Sequence, residues 1–142
     1  MGMQRVLVVA NETLGAPGLI EAIRARAAAG DCAFHLVVPA TRLDPSPEDE
    51  DVDGRTVAKE RLGHAVAELA WLRVLVGGEV GDPSPIVAAA DAARRDTYDA
   101  VMVSTSAPGC SRWLKMGVPR RLERFLRIPV EHLVITSVPT GD

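Results

Sequence analysis

Four hydroxyl side chains follow a short apolar run, VMV at positions 101–103, and they belong to Ser104, Thr105, Ser106 and Ser111. Gly109, between them, lets the backbone approach a ligand closely because it has no side chain. Six basic residues and one acid lie between positions 112 and 127, a charge of about +5 against about −8 for the rest of the chain. Hydroxyls, backbone amides and guanidinium groups all donate hydrogen bonds to anions, so an anion-binding loop is one interpretation. The other is a solvated basic helix whose arginine stems cover apolar surface.

The sequence contains no set of residues that predicts a reaction. The histidines, His35, His64 and His132, have no partner at the spacing of a catalytic triad or a metal site, and we expect packing or surface roles for them. Cys32 and Cys110 form no CxxC pair and no Cys/His zinc spacing, and we expect both to be reduced thiols. We therefore predict no catalytic residue and no metal ligand.

Strands and helices alternate along the chain. Continuous apolar runs of this kind suit strands that helices cover on both faces, and they predict strands at 5–10, 33–38, 74–76 and 130–135, with a further strand that begins at Asp99. Right-handed connections between them predict a single α/β domain over residues 1–142, with a doubly wound parallel sheet of five strands in the order 3-2-1-4-5. Ligands bind such sheets where the strand order reverses, so Asn11 and Ser104 should share one crevice.

Local patterns refine this outline. Asp82 followed by Pro83 predicts the N-cap and first turn of an alanine-rich helix that ends near Arg95. Residues 112–127 predict one basic helix, and both Trp71 and Trp113 are predicted to pack against helices. Residues 41–54 contain six acids and little apolar surface. They predict a solvated, mobile loop, poorly ordered over 43–53.

Composition argues against several classes of protein. The chain has 142 residues, of which 47% are hydrophobic and 25% charged, as in an ordinary globular domain. Its longest apolar runs, such as VLVVA, are far too short to cross a membrane. The start MGMQRVLVV enters a strand pattern without the features of a secretion signal, so we expect a cytoplasmic protein. A net charge of −3 argues against nucleic-acid binding.

The sequence lacks the motifs of two nucleotide-binding folds and of one phosphoacceptor fold. The segment after the first strand, NETLGAPG, has neither the GxGxxG turn of a Rossmann fold nor the lysine of a P-loop. A response-regulator receiver needs acids after its first and third strands and a lysine near its last strand. Here those places hold Asn11, Gly77 and the segment 134–136, none of them acidic or basic.

In strand order and length, nearly the whole chain resembles the universal stress proteins of the adenine-nucleotide hydrolase-like superfamily. Their motif G-x2-G-x9-G-(S/T) wraps a triphosphate in backbone amides, and the matching positions here are Ser104, Ala107, Gly117 and Val118. One of the four is kept. Nucleotide binders of that family also carry an aspartate after the first strand, where this chain has Asn11. The resemblance implies these candidate ligand-binding residues: Asn11, Val38, Ser104, Thr105, Ser106, Ala107, Gly109, Ser111, Arg112, Gly117 and Val118.

We expect a non-catalytic protein, because the basic segment contains only one acid, Glu123, and hydrolysis needs a positioned acid or metal ligand. We also expect a homodimer through the last strand, Val130 to Thr136, which should be an exposed edge, as is common in the family it resembles, and a role as a signalling or interaction module. We expect ATP or AMP to bind weakly, with a dissociation constant on the order of 0.1 mM or more. A smaller anion such as phosphate or sulfate should bind between the loop 104–109 and Arg112. Two alternatives remain open: a nucleotide-binding enzyme with weak ATPase activity, and a structural module that interacts through an exposed edge strand.

Overall fold

The computed structural model describes residues 3–40, 54–106 and 112–135. The strands are β1 (Gln4–Val9), β2 (Cys32–Pro39), β3 (Leu75–Gly81), β4 (Ala100–Ser106) and β5 (Val130–Ile135). The helices are α1 (Pro17–Ala29), α2 (Gly54–Trp71), α3 (Pro85–Arg95), α4 (Arg112–Lys115) and α5 (Val118–Leu126). All neighbouring strands pair in parallel, in the order β3-β2-β1-β4-β5. The predicted topology is therefore confirmed, and a receiver, with its order 2-1-3-4-5, is excluded.

The central strands β1, β2 and β4 are mostly buried on both faces, because side chains alternate along each strand and helices pack on either side, whereas the edge strands β3 and β5 have no fully buried residue. Val6 and Val8 of β1 pack with residues of α1 and α2, whereas Leu7 and Val9 pack with residues of α3 and α5. All four valine and leucine side chains from Val6 to Val9 are fully buried. This double burial explains why the strands have continuous apolar sequences.

The third strand is longer than predicted. The apolar run ends at Val76, but β3 continues through Gly77 and Gly78 to Gly81 and pairs with β2 along its whole length. A Cβ atom on Gly78 would lie 2.5 Å from Leu62 Cδ1 and 2.9 Å from the carbonyl oxygen of Leu36. Glycine fits position 78 because α2 and β2 approach this strand too closely for a side chain. Glycine usually weakens a strand, but at this position it permits tight packing.

The predicted start of α3 is wrong by two residues. Ser84 is the N-cap, and its hydroxyl accepts a hydrogen bond from the Val87 backbone N–H at 3.3 Å. Pro85 then occupies the first helical position. Asp82 instead accepts from the Ser84 backbone N–H at 2.9 Å, in the turn before the helix. Both pairs, Asp82-Pro83 and Ser84-Pro85, fit the capping pattern, and the second forms the cap.

The predicted basic helix is two helices, because Gly117 adopts a left-handed conformation (φ 67°) between α4 and α5. The two tryptophans also differ: Trp113 is buried as predicted, but Trp71 is 85% exposed at the end of α2, so its predicted packing role is wrong. The predicted mobile loop lies outside the described residues apart from Gly54, which begins α2. Within the described ranges, no helix is long and apolar enough to span a bilayer.

Candidate functional site

The strand order reverses between β1 and β4, and the loop after β1 contacts the end of β4 there. Thr13, in the loop after β1, and Ser104, in β4, place their hydroxyl oxygens 2.5 Å apart. Both side chains are buried, with 7% and 2% of their surface exposed. We call the region around this pair the switch-point crevice, and its polar side chains are Asn11, Glu12, Thr13, Arg61, Ser104 and Ser106.

Asn11 is buried at the end of β1 and uses both ends of its amide. Its Nδ2 donates to the carbonyl oxygen of Pro39 at 2.8 Å, and its Oδ1 accepts from Arg61 Nη1. Because a carbonyl can only accept and a guanidinium can only donate, these partners fix the orientation of the amide. Asn11 thereby joins the ends of β1 and β2 to α2. An aspartate could not donate to Pro39 unless it were protonated.

The three hydroxyls at the end of β4 do not form one cluster, because successive side chains point to opposite faces. Ser104 bonds to Thr13, and the Ser106 hydroxyl donates to Glu12 Oε2 at 3.3 Å. Thr105 instead hydrogen-bonds to His132 Nε2 of β5 at 2.8 Å. Two of the three predicted hydroxyls therefore face the crevice, and Thr105 does not.

Other predicted site residues are placed differently. Val38 and Val118 are fully buried in the two core layers, so only their backbone groups could reach a ligand. Gly117, the motif glycine that the chain keeps, has a positive φ just before α5. Arg112 begins α4. Nothing is described of its side chain, and the predicted residues Ala107, Gly109 and Ser111 lie outside the described residues.

Four basic residues of α4 and α5 are exposed: Lys115, Arg120, Arg121 and Arg124. Among the described residues, none of these four has a carboxylate partner. They give this side of the molecule a positive surface. No group of acidic, histidine or cysteine side chains in the described part of the chain could hold a metal ion.

Four residues of this region were not predicted as site residues: Glu12, Thr13, Arg61 and His132. Arg61 had a signal in the sequence, because it lies on the same helical face as the buried positions Ala58 and Ala65. A charged residue on an apolar face needs a polar partner. The sequence could not name that partner, since Asn11 lies 50 residues away along the chain.

A second polar cluster lies on the other face of the sheet, beside β3 and α3. His35 Nε2 lies 2.6 Å from Glu79 Oε2, and Arg95 donates to the other carboxylate oxygen of Glu79. Burial raises the pKa of Glu79, but the hydrogen bonds and charges of Arg95 and His35 outweigh it and hold the pKa below its ordinary value. His35 and His132 each make a polar contact, with Glu79 and with Thr105, that the sequence did not indicate.

An open pocket of about 550 Å³ lies next to this cluster. Its charged lining residues carry both signs, and they are Arg55, Glu79, Asp82, Asp91, Arg94 and Arg95. Arg94 pairs with Asp91 within α3 at 3.0 Å, and Arg95 of α3 pairs with Glu79 of β3. Only the second pair connects α3 to β3, and the balanced charges of the lining leave little net charge for a ligand.

The chain is similar in structure to three solved universal stress proteins. A protein of the universal stress protein family from Burkholderia pseudomallei is 20% identical with a TM-score of 0.59, over 94% of this chain and 96% of that one. An Arabidopsis thaliana universal stress protein family protein with AMP bound is 15% identical with a TM-score of 0.66, over 94% and 93%. A universal stress protein in complex with cAMP is 16% identical with a TM-score of 0.60, over 97% and 100%.

The amino-acid sequence matches no family model, and no curated protein is significantly similar to it. At these identities the structural likeness establishes the fold. The chain has the universal stress protein fold, as the resemblance implied.

Proposed function

We infer that this chain is a divergent universal stress protein that binds a small anionic ligand or a nucleotide weakly in the switch-point crevice, and that acts as a binding module rather than a catalyst. The observation that carries this proposal is the contact between Thr13 and Ser104, 2.5 Å apart at the point where the strand order reverses. Ligands of doubly wound sheets bind at that point. The AMP and cAMP complexes of two proteins with this fold support a nucleotide as the ligand.

We expect weak binding because the polar groups of the crevice already make hydrogen bonds within the protein. Asn11 bonds to the Pro39 carbonyl oxygen and to Arg61, and Thr13 bonds to Ser104, so a ligand that binds these groups must replace existing hydrogen bonds. The net gain from such an exchange is small. Val118 is buried where the motif has a hydroxyl, which removes a further phosphate contact.

Titration calorimetry tests the proposal with three probes: AMP, ATP with magnesium, and inorganic phosphate. We expect dissociation constants on the order of 0.1 mM or weaker. Arg112→Ala should weaken binding of the anion, and Arg124→Ala, an exposed arginine in the last turn of α5, should leave it unchanged. A micromolar dissociation constant for ATP would contradict the interpretation that the altered phosphate motif no longer binds ATP tightly. Absence of binding by all three probes would overturn the proposal.

One contact favours the alternative of weak ATP hydrolysis. The Glu12 carboxylate lies 3.3 Å from the Ser106 hydroxyl, so an acid is present at the end of β4. A general base must lie within hydrogen-bond reach of the attacking water. Phosphate release from ATP and magnesium, compared between the parent protein and Glu12→Gln, distinguishes the alternatives. Release that depends on Glu12 would show an enzyme.

The homodimer remains part of the proposal. β5 is an edge of the described sheet, and its exposed residues include Glu131, His132 and Val134. An edge strand has unpaired backbone groups, which a second copy of the chain can pair with. A cytoplasmic location stays a prediction from the sequence.

A further inference from the structure

One side of α5 packs on the sheet, and the other side is exposed. Val118 and Leu122 are fully buried in the core layer that also contains Val101 and Val103 of β4. Three arginines and one phenylalanine lie on the exposed side, within an arc of about 140° around the helix axis. We call these four exposed residues the basic face of α5, and they are Arg120, Arg121, Arg124 and Phe125.

The charges on this face do not stabilise the helix. Arg120 and Arg124 are four residues apart, and like charges at that spacing repel each other on a helix surface. Arg120 also lies in the first turn of α5, where the helix dipole disfavours a cation, and that turn contains no acid. An anionic surface beside the basic face of α5 would offset both unfavourable effects.

Phe125 indicates which kind of anionic surface fits. Its side chain is 66% exposed, and it follows Arg121 by four residues, so the ring and a guanidinium are neighbours on the helix surface. A nucleic-acid duplex or an acidic peptide can pair with the arginines, but its charged groups give the ring no apolar surroundings. A bilayer takes both kinds of side chain, because anionic head groups attract arginine and phenylalanine enters the boundary between head groups and acyl chains.

We propose that the basic face of α5 docks this protein on the surface of a membrane that contains anionic lipids. Phe125 enters the boundary between head groups and acyl chains, and the three arginines contact the charged oxygens of the head groups. Val118 and Leu122 hold the other side of α5 on the sheet, so the helix does not insert as a whole and the docking is reversible. The docking needs no ligand in the switch-point crevice and goes beyond the proposed function.

Co-sedimentation with lipid vesicles tests the docking. The protein should bind vesicles of equal parts phosphatidylcholine and phosphatidylserine, should bind less as salt is raised, and should not bind phosphatidylcholine alone. An arginine near an anionic membrane contributes about fivefold in affinity, so Arg121→Gln with Arg124→Gln should weaken binding about thirtyfold. The matched control is Lys59→Gln with Arg73→Gln, which removes two exposed cations in and just after α2, on the opposite face of the sheet. This control should bind as the parent protein does.

Phe125→Ala distinguishes a membrane from other polyanions. The substitution should weaken binding to the phosphatidylserine vesicles about tenfold, because an apolar ring no longer leaves water. Vesicle binding that Phe125→Ala leaves unchanged, or a DNA duplex that binds as tightly as the vesicles, would show a general polyanion surface and overturn the inference. It would also be overturned if the parent protein did not bind the phosphatidylserine vesicles, or if the control on α2 lost as much affinity as the variant on α5.

Discussion

Thr13 and Ser104 share a hydrogen bond of 2.5 Å although they lie 91 residues apart along the chain. The bond joins the loop after β1 to β4 at the one place in the sheet where the strand order reverses. Both hydroxyls are buried, so neither can exchange its partner for bulk water when the other is removed. The pair therefore fixes one wall of the crevice.

Removal of either hydroxyl should destabilise the protein. We expect Thr13→Val to lower the free energy of unfolding by about 1 to 3 kcal/mol, because it leaves the Ser104 hydroxyl buried without its partner. Urea unfolding followed by circular dichroism measures the change. The matched control is Thr97→Val, an exposed threonine just before β4, which should change stability by about 0.5 kcal/mol or less.

The double variant Thr13→Val with Ser104→Ala tests the pairing itself. Once both polar groups are gone, no buried group is left unsatisfied, so the double variant should cost less than the sum of the two single variants. Costs that simply add would contradict a direct hydrogen bond between the two side chains.

The location of the crevice could be predicted from the sequence, because strand order follows from short apolar runs and right-handed connections. Its hydrogen bonds could not be predicted. Asn11 was identified as the residue in place of an acid, but the reason for an amide there is the pair of partners Pro39 and Arg61. An amide can donate to one of these partners and accept from the other, which a carboxylate cannot, and the partners come from β2 and α2. Contacts between residues distant in sequence leave no pattern in a single chain.

The predicted length of β3 was wrong for a related reason. Two consecutive glycines, Gly77 and Gly78, end the apolar pattern, and glycine disfavours strands when only local preference is considered. Tertiary packing decides the outcome, because α2 and β2 leave no room for a side chain at Gly78.

Substitution of the two glycines separates packing from local preference. Gly78→Ala should destabilise the protein by about 1 to 3 kcal/mol, because the new Cβ would overlap with Leu62 and with the Leu36 carbonyl oxygen. At Gly77 the nearest atom to a new Cβ is His35 Nδ1 at 4.0 Å, so Gly77→Ala should be neutral or slightly stabilising. Thermal unfolding of the two variants measures this difference. Equal effects would contradict the close packing of α2 on β3.

Acid should weaken the contact between β3 and α3. Because the pKa of Glu79 is lower in the folded protein than in the unfolded chain, its contribution is fully present above the unfolded value and is lost as pH falls through the folded one. The unfolded value is near 4.3, so the loss begins below about pH 5. Glu79→Gln lacks this carboxylate. The parent protein should therefore lose more stability than Glu79→Gln between neutral pH and pH 3.5.

Urea unfolding at several pH values measures that difference. The control is Glu68→Gln, an exposed acid on α2 that has no ion pair among the described residues. Its dependence on pH should follow the parent protein. A Glu79→Gln variant that loses stability in acid as steeply as the parent would contradict the role assigned to the cluster of His35, Glu79 and Arg95.

The last prediction concerns the two edges of the sheet. If copies of the chain pair through β5, Val134→Lys should convert the dimer to monomer, because a charge placed inside an interface is desolvated without a partner. Val134 is 40% exposed, and Val87 on α3 is 41% exposed, so Val87→Lys adds the same charge at an equally exposed valine. Sedimentation velocity at high micromolar concentration should then give a dimer for the parent and for Val87→Lys.

The competing edge is β3, where Leu75 is 57% exposed near the exposed Trp71. A dimer that survives Val134→Lys but dissociates with Leu75→Lys would place the interface at β3, and a monomeric parent protein would contradict the dimer altogether.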